Sequence, residues 1–296
     1  MRRGVLVMAY GTPEQVEDVE RYYTHIRRGR VPPPELLAEL VSRYEAVGGP
    51  TALNRITRAQ AAGIAHALAR RGHEVPVYIG FKHVPPFVGD AVAQMAAEGV
   101  ESAVGLVLAP HYSLRSIAEY ERYAEDARPP GLVLDVIRSW HDDPGLIAWL
   151  ATRLREALAR SGGDARVLFT AHSVPRPPAG RQDPYAEQLE ETCKLVAEAA
   201  GIEGWEFAFQ SAGRTADTWL GPDVLETIDG IADRGHRGVV LQAVGFVADH
   251  LETLYDLDVE ARRAAESRGL RYTRAAMPND DPAFVEVLAG VVEARL

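Results

Sequence analysis

Two short stretches carry side chains able to do chemistry: Thr170-Ala171-His172-Ser173 and Gly245-Phe246-Val247-Ala248-Asp249-His250-Leu251-Glu252. Each follows an apolar run that reads as a buried strand, residues 166–169 and 239–244. In an α/β protein, ligands bind where parallel strands end. An imidazole facing a carboxylate there could hold a divalent metal or move protons. Beyond Glu252 come Asp256 and Glu260 at the same four-residue step. On a helix that step puts three carboxylates on one face, where they repel each other unless a cation sits among them.

Each candidate has a plainer reading. A lone histidine such as His172 is as often a packing or capping residue. Glu252 and Asp249 could simply favour the positive end of a helix, an explanation that suits Asp249 better than the whole ladder. Ser173, His172 and Asp249 make a poor hydrolase triad, because no GxSxG elbow surrounds the serine and adjacent Ser and His do not easily face each other. Tyr10, just before Gly11, stands at the first strand end, where a phenol could touch a ligand or be buried and bonded. Lys82-His83, ahead of Val84-Pro85-Pro86, reads first as a charged turn and second as a pocket wall. The most basic segment is Arg21-Tyr22-Tyr23-Thr24-His25-Ile26-Arg27-Arg28-Gly29-Arg30, and Arg43-Tyr44 repeats its pairing of cation and ring. Such groups grip the carboxylates of a flat apolar ligand as well as they grip nucleic acid. Val31-Pro32-Pro33-Pro34 stiffens the connection, so residues 20–50 read as a lid or rim.

The elements that must position these residues alternate between short β-rich runs and longer helical stretches. Strands are expected at 4–9, 75–80, 103–109, 132–137, 166–169, 205–209, 238–244 and 270–274. Helices are expected at 16–25, 34–46, 56–70, 88–98, 116–127, 144–161, 186–200, 224–233, 251–268 and 282–295. The pattern predicts an α/β protein with parallel sheets flanked by helices. A weak echo links the segment around Ala9-Tyr10-Gly11 to that around Ala171-His172-Ser173. Two similar Rossmann-like halves would explain it, residues 1–143 with the lid and residues 144–296 with His172 and Glu252, meeting at the breaker His141-Asp142-Asp143-Pro144-Gly145 and leaving an active-site cleft between them. Neither GxGxxG after the first strand nor GxxxxGK[ST] is present, so nucleotide-binding readings lose their main support.

A formal charge of −10 over 296 residues argues against a nucleic-acid partner. No apolar run is long enough for a membrane span. The single cysteine, Cys193, excludes an internal disulfide. A cytoplasmic enzyme is the expectation.

Several strings together resemble the ferrochelatases: Val7-Met8-Ala9-Tyr10-Gly11-Thr12-Pro13, residues 22–30, Arg43-Tyr44-Glu45-Ala46-Val47-Gly48-Gly49, Ala109-Pro110-His111, Ala171-His172-Ser173, Trp219-Leu220-Gly221-Pro222 and residues 245–256. The likeness runs in order from about Val5 to Pro278 and is greatest to the soluble branch of Gram-positive-type bacteria, which inserts iron into coproporphyrin III to give coproheme. The resemblance implies two chelatase-type domains around a porphyrin cleft, with Fe²⁺ and coproporphyrin III as substrates. It implies that His172 and Glu252 face each other at the metal centre, with Tyr10 on the other face of the macrocycle. Arg27, Arg43, Tyr44, Thr51 and Tyr120 would hold propionates, Lys82 and His83 would line the pocket, and Asp256 with Glu260 would form an outer site for a divalent cation. Thr51 replaces the usual serine and keeps its hydroxyl; Glu119 replaces a serine found in some relatives. No permanently bound cofactor is expected, and Cys193 alone cannot supply the four thiolates of the usual [2Fe–2S] cluster. The resemblance suggests a monomer that works beside the enzymes before and after it in heme synthesis. Alternatives are a protoporphyrin IX ferrochelatase, a chelatase for cobalt or nickel, and, in another class, a tetrapyrrole or metal carrier without turnover.

Metal insertion requires the removal of two pyrrole protons from a flat ring whose lone pairs do not point at an incoming ion. Binding that bends the macrocycle would expose a nitrogen pair. Arginines anchoring the propionates and an imidazole–carboxylate pair at the ring centre suit that task.

Overall fold

The structure is a computed structural model that describes every residue except Met1, Ala179 and Arg214. Two four-stranded parallel sheets form its frame. The first runs β2–β1–β3–β4, from β1 (Arg3–Ala9), β2 (Val77–Phe81), β3 (Ser102–Val107) and β4 (Val133–Ile137). The second repeats that order as β6–β5–β7–β8, from β5 (Ala165–His172), β6 (Trp205–Gln210), β7 (Gly238–Ala243) and β8 (Arg271–Arg274). Each half therefore places its first strand at the centre, so the loops leaving β1 and β5 emerge at equivalent points.

Central strands of parallel sheets are covered on both faces and read as continuous apolar runs. In β1, Val5 and Val7 point into one core while Leu6 and Met8 point into another, as the two-residue period of a strand requires. In β5, Phe169 joins the first of these cores and Leu168 a third. The shared core lies between the sheets and is filled by α3 (Leu53–Arg70), α6 (Pro144–Ser161), α7 (Tyr185–Ala200) and α10 (Pro282–Glu293). The outer faces are closed by α4 (Val88–Ala97) and α5 (Ile117–Ala127) on one sheet, and by α8 (Val224–Asp233) and α9 (Arg262–Ser267) on the other. The segment expected to form a lid holds α1 (Val19–Ile26) and α2 (Pro34–Ala46).

Helix starts follow local chemistry. Asp143 accepts hydrogen bonds from the Gly145 and Leu146 amides at 2.8 and 3.0 Å, with Pro144 at the first helical position. Asp281-Pro282 repeats this at the start of α10. In both, the side chain satisfies amides that lack helical partners and proline loses nothing.

One element departs from expectation. Residues 251–268 read as a single helix, but after an α-helical start at Leu251 and Glu252 the chain is π-helical over Thr253–Ala261 and returns to α-helix at Arg262–Ser267. The pattern of apolar residues does not separate the two, since both keep residues four apart on neighbouring sides of the helix. A π-segment is rare, and its wider i→i+5 turn re-aims the side chains it carries. Arg274 straps the segment down: its guanidinium meets Asp258 at 2.8 Å and Asp249 at 3.0 Å. None of the helices is long and apolar enough to cross a membrane among the described residues.

Candidate active site

His172 is the last residue of β5 and sits in register with Gln210, the last of β6. Parallel pairing thus delivers both to one sheet edge, and the Gln210 Nε2 donates to the Glu252 carbonyl at 3.1 Å. Glu252 arrives from the loop after β7, at the mouth of the π-segment. Its Oε2 lies 3.4 Å from His172 Nδ1 and 3.5 Å from His250 Nε2. His172 Nδ1 is buried and makes no hydrogen bond of its own within the described protein. The phenol of Tyr185, at the start of α7, donates to the His172 carbonyl at 3.0 Å and fixes the strand end.

Charge in this cluster is unevenly distributed. Burial works to raise the Glu252 carboxyl, but the opposing pull of His172, the hydrogen bond and charge of His250, and Arg43 holds it at about 2. Its side chain nonetheless keeps 38% exposure, so it is a carboxylate open to the cleft. His250 is raised: burial disfavours its charge, yet Glu252 and the Ala248 carbonyl outweigh that cost. The Nδ1 of His250 faces that carbonyl at 3.0 Å and its Nε2 faces Glu252, both acceptors, which favours two ring protons. Further along, Asp256 is pushed up to about 7 by burial and by the charge of Glu252, with Glu260 adding to the push; Ser211 and Arg43 oppose it. The Ser211 hydroxyl donates to Asp256, and Arg43 lies 3.6 Å away. One anion beside His172 and one proton-holding carboxyl behind it can accept and pass protons.

The first sheet supplies the other wall. Tyr10 leaves β1 and is 42% exposed, with the His83 ring and the Lys82 ammonium beside it. Burial first, then the charge of Glu252, pushes its phenol up, so the two walls sense each other. The Lys82 and His83 amides donate to the Ala9 and Tyr10 carbonyls at 2.8 and 3.0 Å, extending the β1–β2 pairing past the strand ends. That pairing sets the His83 ring against the Tyr10 ring, 4.5 Å between centroids and tilted by 59°. His83 is held neutral, lowered to about 3 by burial and by Lys82 and His25; its Nδ1 lies 3.1 Å from that of His25 in the lid. Lys82-His83 is therefore buried wall and not the charged turn first expected, because β1 and β2 pair beyond their formal ends.

Arg43 lies over the Tyr255 ring at 5.0 Å and beside Asp256, which joins lid to π-segment. Arg27 stacks near Tyr23 at 5.7 Å, and its Nε is buried without a partner among the described residues. The Thr51 hydroxyl is likewise buried and unpartnered. Tyr44 and Tyr120 are almost wholly buried; burial pushes the Tyr44 phenol up to about 12, against the opposing effect of its 3.1 Å hydrogen bond with the Thr12 hydroxyl. Glu260 is half-buried along the π-segment. Among the described residues no three His, Cys, Asp or Glu side chains converge as a ready-made metal cage. His172 and Glu252 form a pair, with Asp256 and Glu260 trailing from it.

Other side chains have structural work. The Ser173 hydroxyl donates to the Leu220 carbonyl at 2.8 Å, and Asp249 pairs with Arg274 and Asn279, so neither faces His172 as a triad would require. Cys193 is buried inside α7. His250 belonged to a stretch whose types were suggestive, yet nothing in its spacing singled it out. Gln210, Ser211 and Tyr185 carried no sequence signal at all, since strand pairing and helix docking alone bring them in.

Comparison with known proteins bears on the fold and the family. The two-sheet frame is similar to two solved structures: SirB from Bacillus subtilis with Fe³⁺ has a TM-score of 0.60 at 13% identity, covering 99% of this chain and 95% of that one. CbiX, the terminal enzyme of siroheme synthesis in denitrifying bacteria, has a TM-score of 0.57 at 16% identity, covering 99% and 100%. At such identities the likeness shows the fold alone. Sequence goes further: a Bacillus pumilus protein named coproporphyrin III ferrochelatase is 44% identical over 304 residues, covering 100% of this chain and 97% of its own length. The Bacillus subtilis protein of the same name matches at 44% over 100% and 98%. A Thermus thermophilus protein named ferrochelatase matches at 45% over 98% of each. The ferrochelatase family model spans residues 2–296, and this chain belongs to the ferrochelatase family.

Proposed function

We propose that the protein inserts Fe²⁺ into coproporphyrin III to form coproheme in heme synthesis. The observation that carries this reading is the His172–Glu252 pair, one at the end of β5 and the other where the loop after β7 enters the π-segment, beside a cleft rimmed by Arg27 and Arg43. Full-length relatives bearing that activity in their names support the choice of porphyrin. A flat ring in this cleft would present its centre to His172 and Glu252 on one face and to Tyr10 on the other. Glu252 is ionised at neutral pH and His172 Nδ1 lacks a hydrogen bond, so the pair can meet a cation or take pyrrole protons. Asp256, near its midpoint at neutral pH, can carry a proton onward or meet an arriving ion, with Glu260 beyond it.

The unpartnered Arg27 Nε and Thr51 hydroxyl suit propionate oxygens, as does Arg43 once its pairing with Asp256 loosens. Tyr44 and Tyr120 would join them only after small side-chain shifts, because both are buried in the free protein. Lys82 and His83 form the wall beside Tyr10. The metal enters as substrate, and the single buried Cys193 supports a reading without an iron–sulfur cluster. We divide the chain near Asp143-Pro144, read it as a cytoplasmic monomer, and expect its partners to be the neighbouring enzymes of heme synthesis and not nucleic acid.

The test is anaerobic Fe²⁺ insertion followed by absorbance, with coproporphyrin III and protoporphyrin IX in parallel. Preference for coproporphyrin III supports the proposal. Preference for protoporphyrin IX would keep the mechanism and move the substrate, and insertion into neither would leave a carrier.

A further inference from the structure

Glu119, in the first turn of α5, stands at a corner of the cleft that the proposed chemistry does not use. Its Oε2 is 2.6 Å from the ammonium of Lys82, whose side chain is only 7% exposed. That ammonium sits over two rings, 5.3 Å from the Tyr120 centroid and 5.8 Å from that of Tyr10. The other oxygen, Oε1, meets Arg28 of the lid at 3.4 Å. Arg28 adopts φ 57, a conformation few residues other than glycine take up. One carboxylate thus links the cleft wall to the lid.

We propose that Glu119 sets the carboxylate selectivity of the cleft by masking Lys82. A buried ammonium is costly unless paired, and an unmasked Lys82 beside Tyr10 would attract any substrate carboxylate reaching that corner. With Glu119 in contact, the Lys82–Glu119 pair is close to neutral and already holds a carboxylate. A substrate carboxylate must displace Glu119 or stay away, and recognition falls to the arginines of the rim. Selectivity here comes from a repulsive group as much as from attractive ones. The inference rests on the cleft being the porphyrin site.

The signs of three variants test it. Glu119→Gln removes the mask at nearly constant shape, so binding of a four-carboxylate porphyrin should tighten roughly tenfold, and binding of a two-carboxylate porphyrin less. Lys82→Met strands the negative charge and should weaken both, the four-carboxylate ligand more. The double variant should return near the native affinities. Fluorescence titration of coproporphyrin III and protoporphyrin IX against native and variant chains reads all three, with Glu119→Ser as a second neutral variant should Gln disturb folding. Weakening of both porphyrins by Glu119→Gln and Glu119→Ser would mean a structural ion pair and overturn the proposal, as would unchanged binding of the four-carboxylate ligand. If the native chain bound neither porphyrin, the proposed function itself would fall first.

Discussion

The two halves share a strand order yet use equivalent strand ends in opposite ways. After the third strand of the second sheet, the chain presents His250 and Glu252 to the cleft. After the third strand of the first sheet, it presents His111, which turns inward instead: 2% exposed, its Nε2 2.9 Å from the Thr192 hydroxyl of α7. The central strands differ as well, with β5 ending in His172 and β1 leading to Tyr10. The second half gathers carboxylates and imidazoles, and the first gathers cations and aromatic rings. A repeated frame sets where side chains emerge, while the residue at each exit and its neighbours decide whether it reacts, recognises or packs.

The largest expected effect probes the reactive side. His172→Ala should reduce iron insertion by roughly 10²–10⁴-fold, the range for a positioned proton-transfer group, while porphyrin binding stays largely intact. Lost binding with undiminished turnover of bound substrate would erase the contrast between the halves. Arg43→Ala probes recognition: porphyrin affinity should fall roughly tenfold, more for four propionates than for two. Equal losses would show that Arg43 serves mainly to steady Asp256, whose carboxyl it holds down.

The smallest effect on activity, and the sharpest on stability, belongs to the packed histidine. Burial, with the charge of His141, lowers His111 to about 3 from an ordinary 6.5. The unfolded chain takes up a proton below 6.5 that the folded chain refuses, so stability should fall as pH drops from that value toward about 3. His111→Gln, able to keep the bond to Thr192, should flatten this acid limb by at most about 5 kcal/mol. Denaturant unfolding at several pH values reads it. An unchanged slope would place the acid sensitivity elsewhere.

Much of this was legible beforehand. Apolar runs located the central strands β1, β3, β5 and β7 because buried parallel strands tolerate little else, whereas the edge strand β8 is polar and not buried, and Asp-Pro pairs marked the starts of α6 and α10 through local capping. His172, Glu252 and Tyr10 stood out as polar residues at strand ends. The π-segment was not legible, since its distinction from an α-helix lies in hydrogen bonding that side-chain spacing barely reports.

By itself, then, the sequence determined the α/β frame, the residue types at the strand exits and, through long matching strings, the family. Those follow from local periodicity, capping and order along the chain. Only the tertiary structure decided that Gln210 and Ser211 would steady Glu252 and Asp256, that Tyr185 would hold His172, and that Glu119 would take the charge of Lys82. Such partners lie up to tens of residues apart, and parallel pairing with helix docking sets their distances. Charge, burial and proton affinity depend on those distances, which no spacing along the chain encodes.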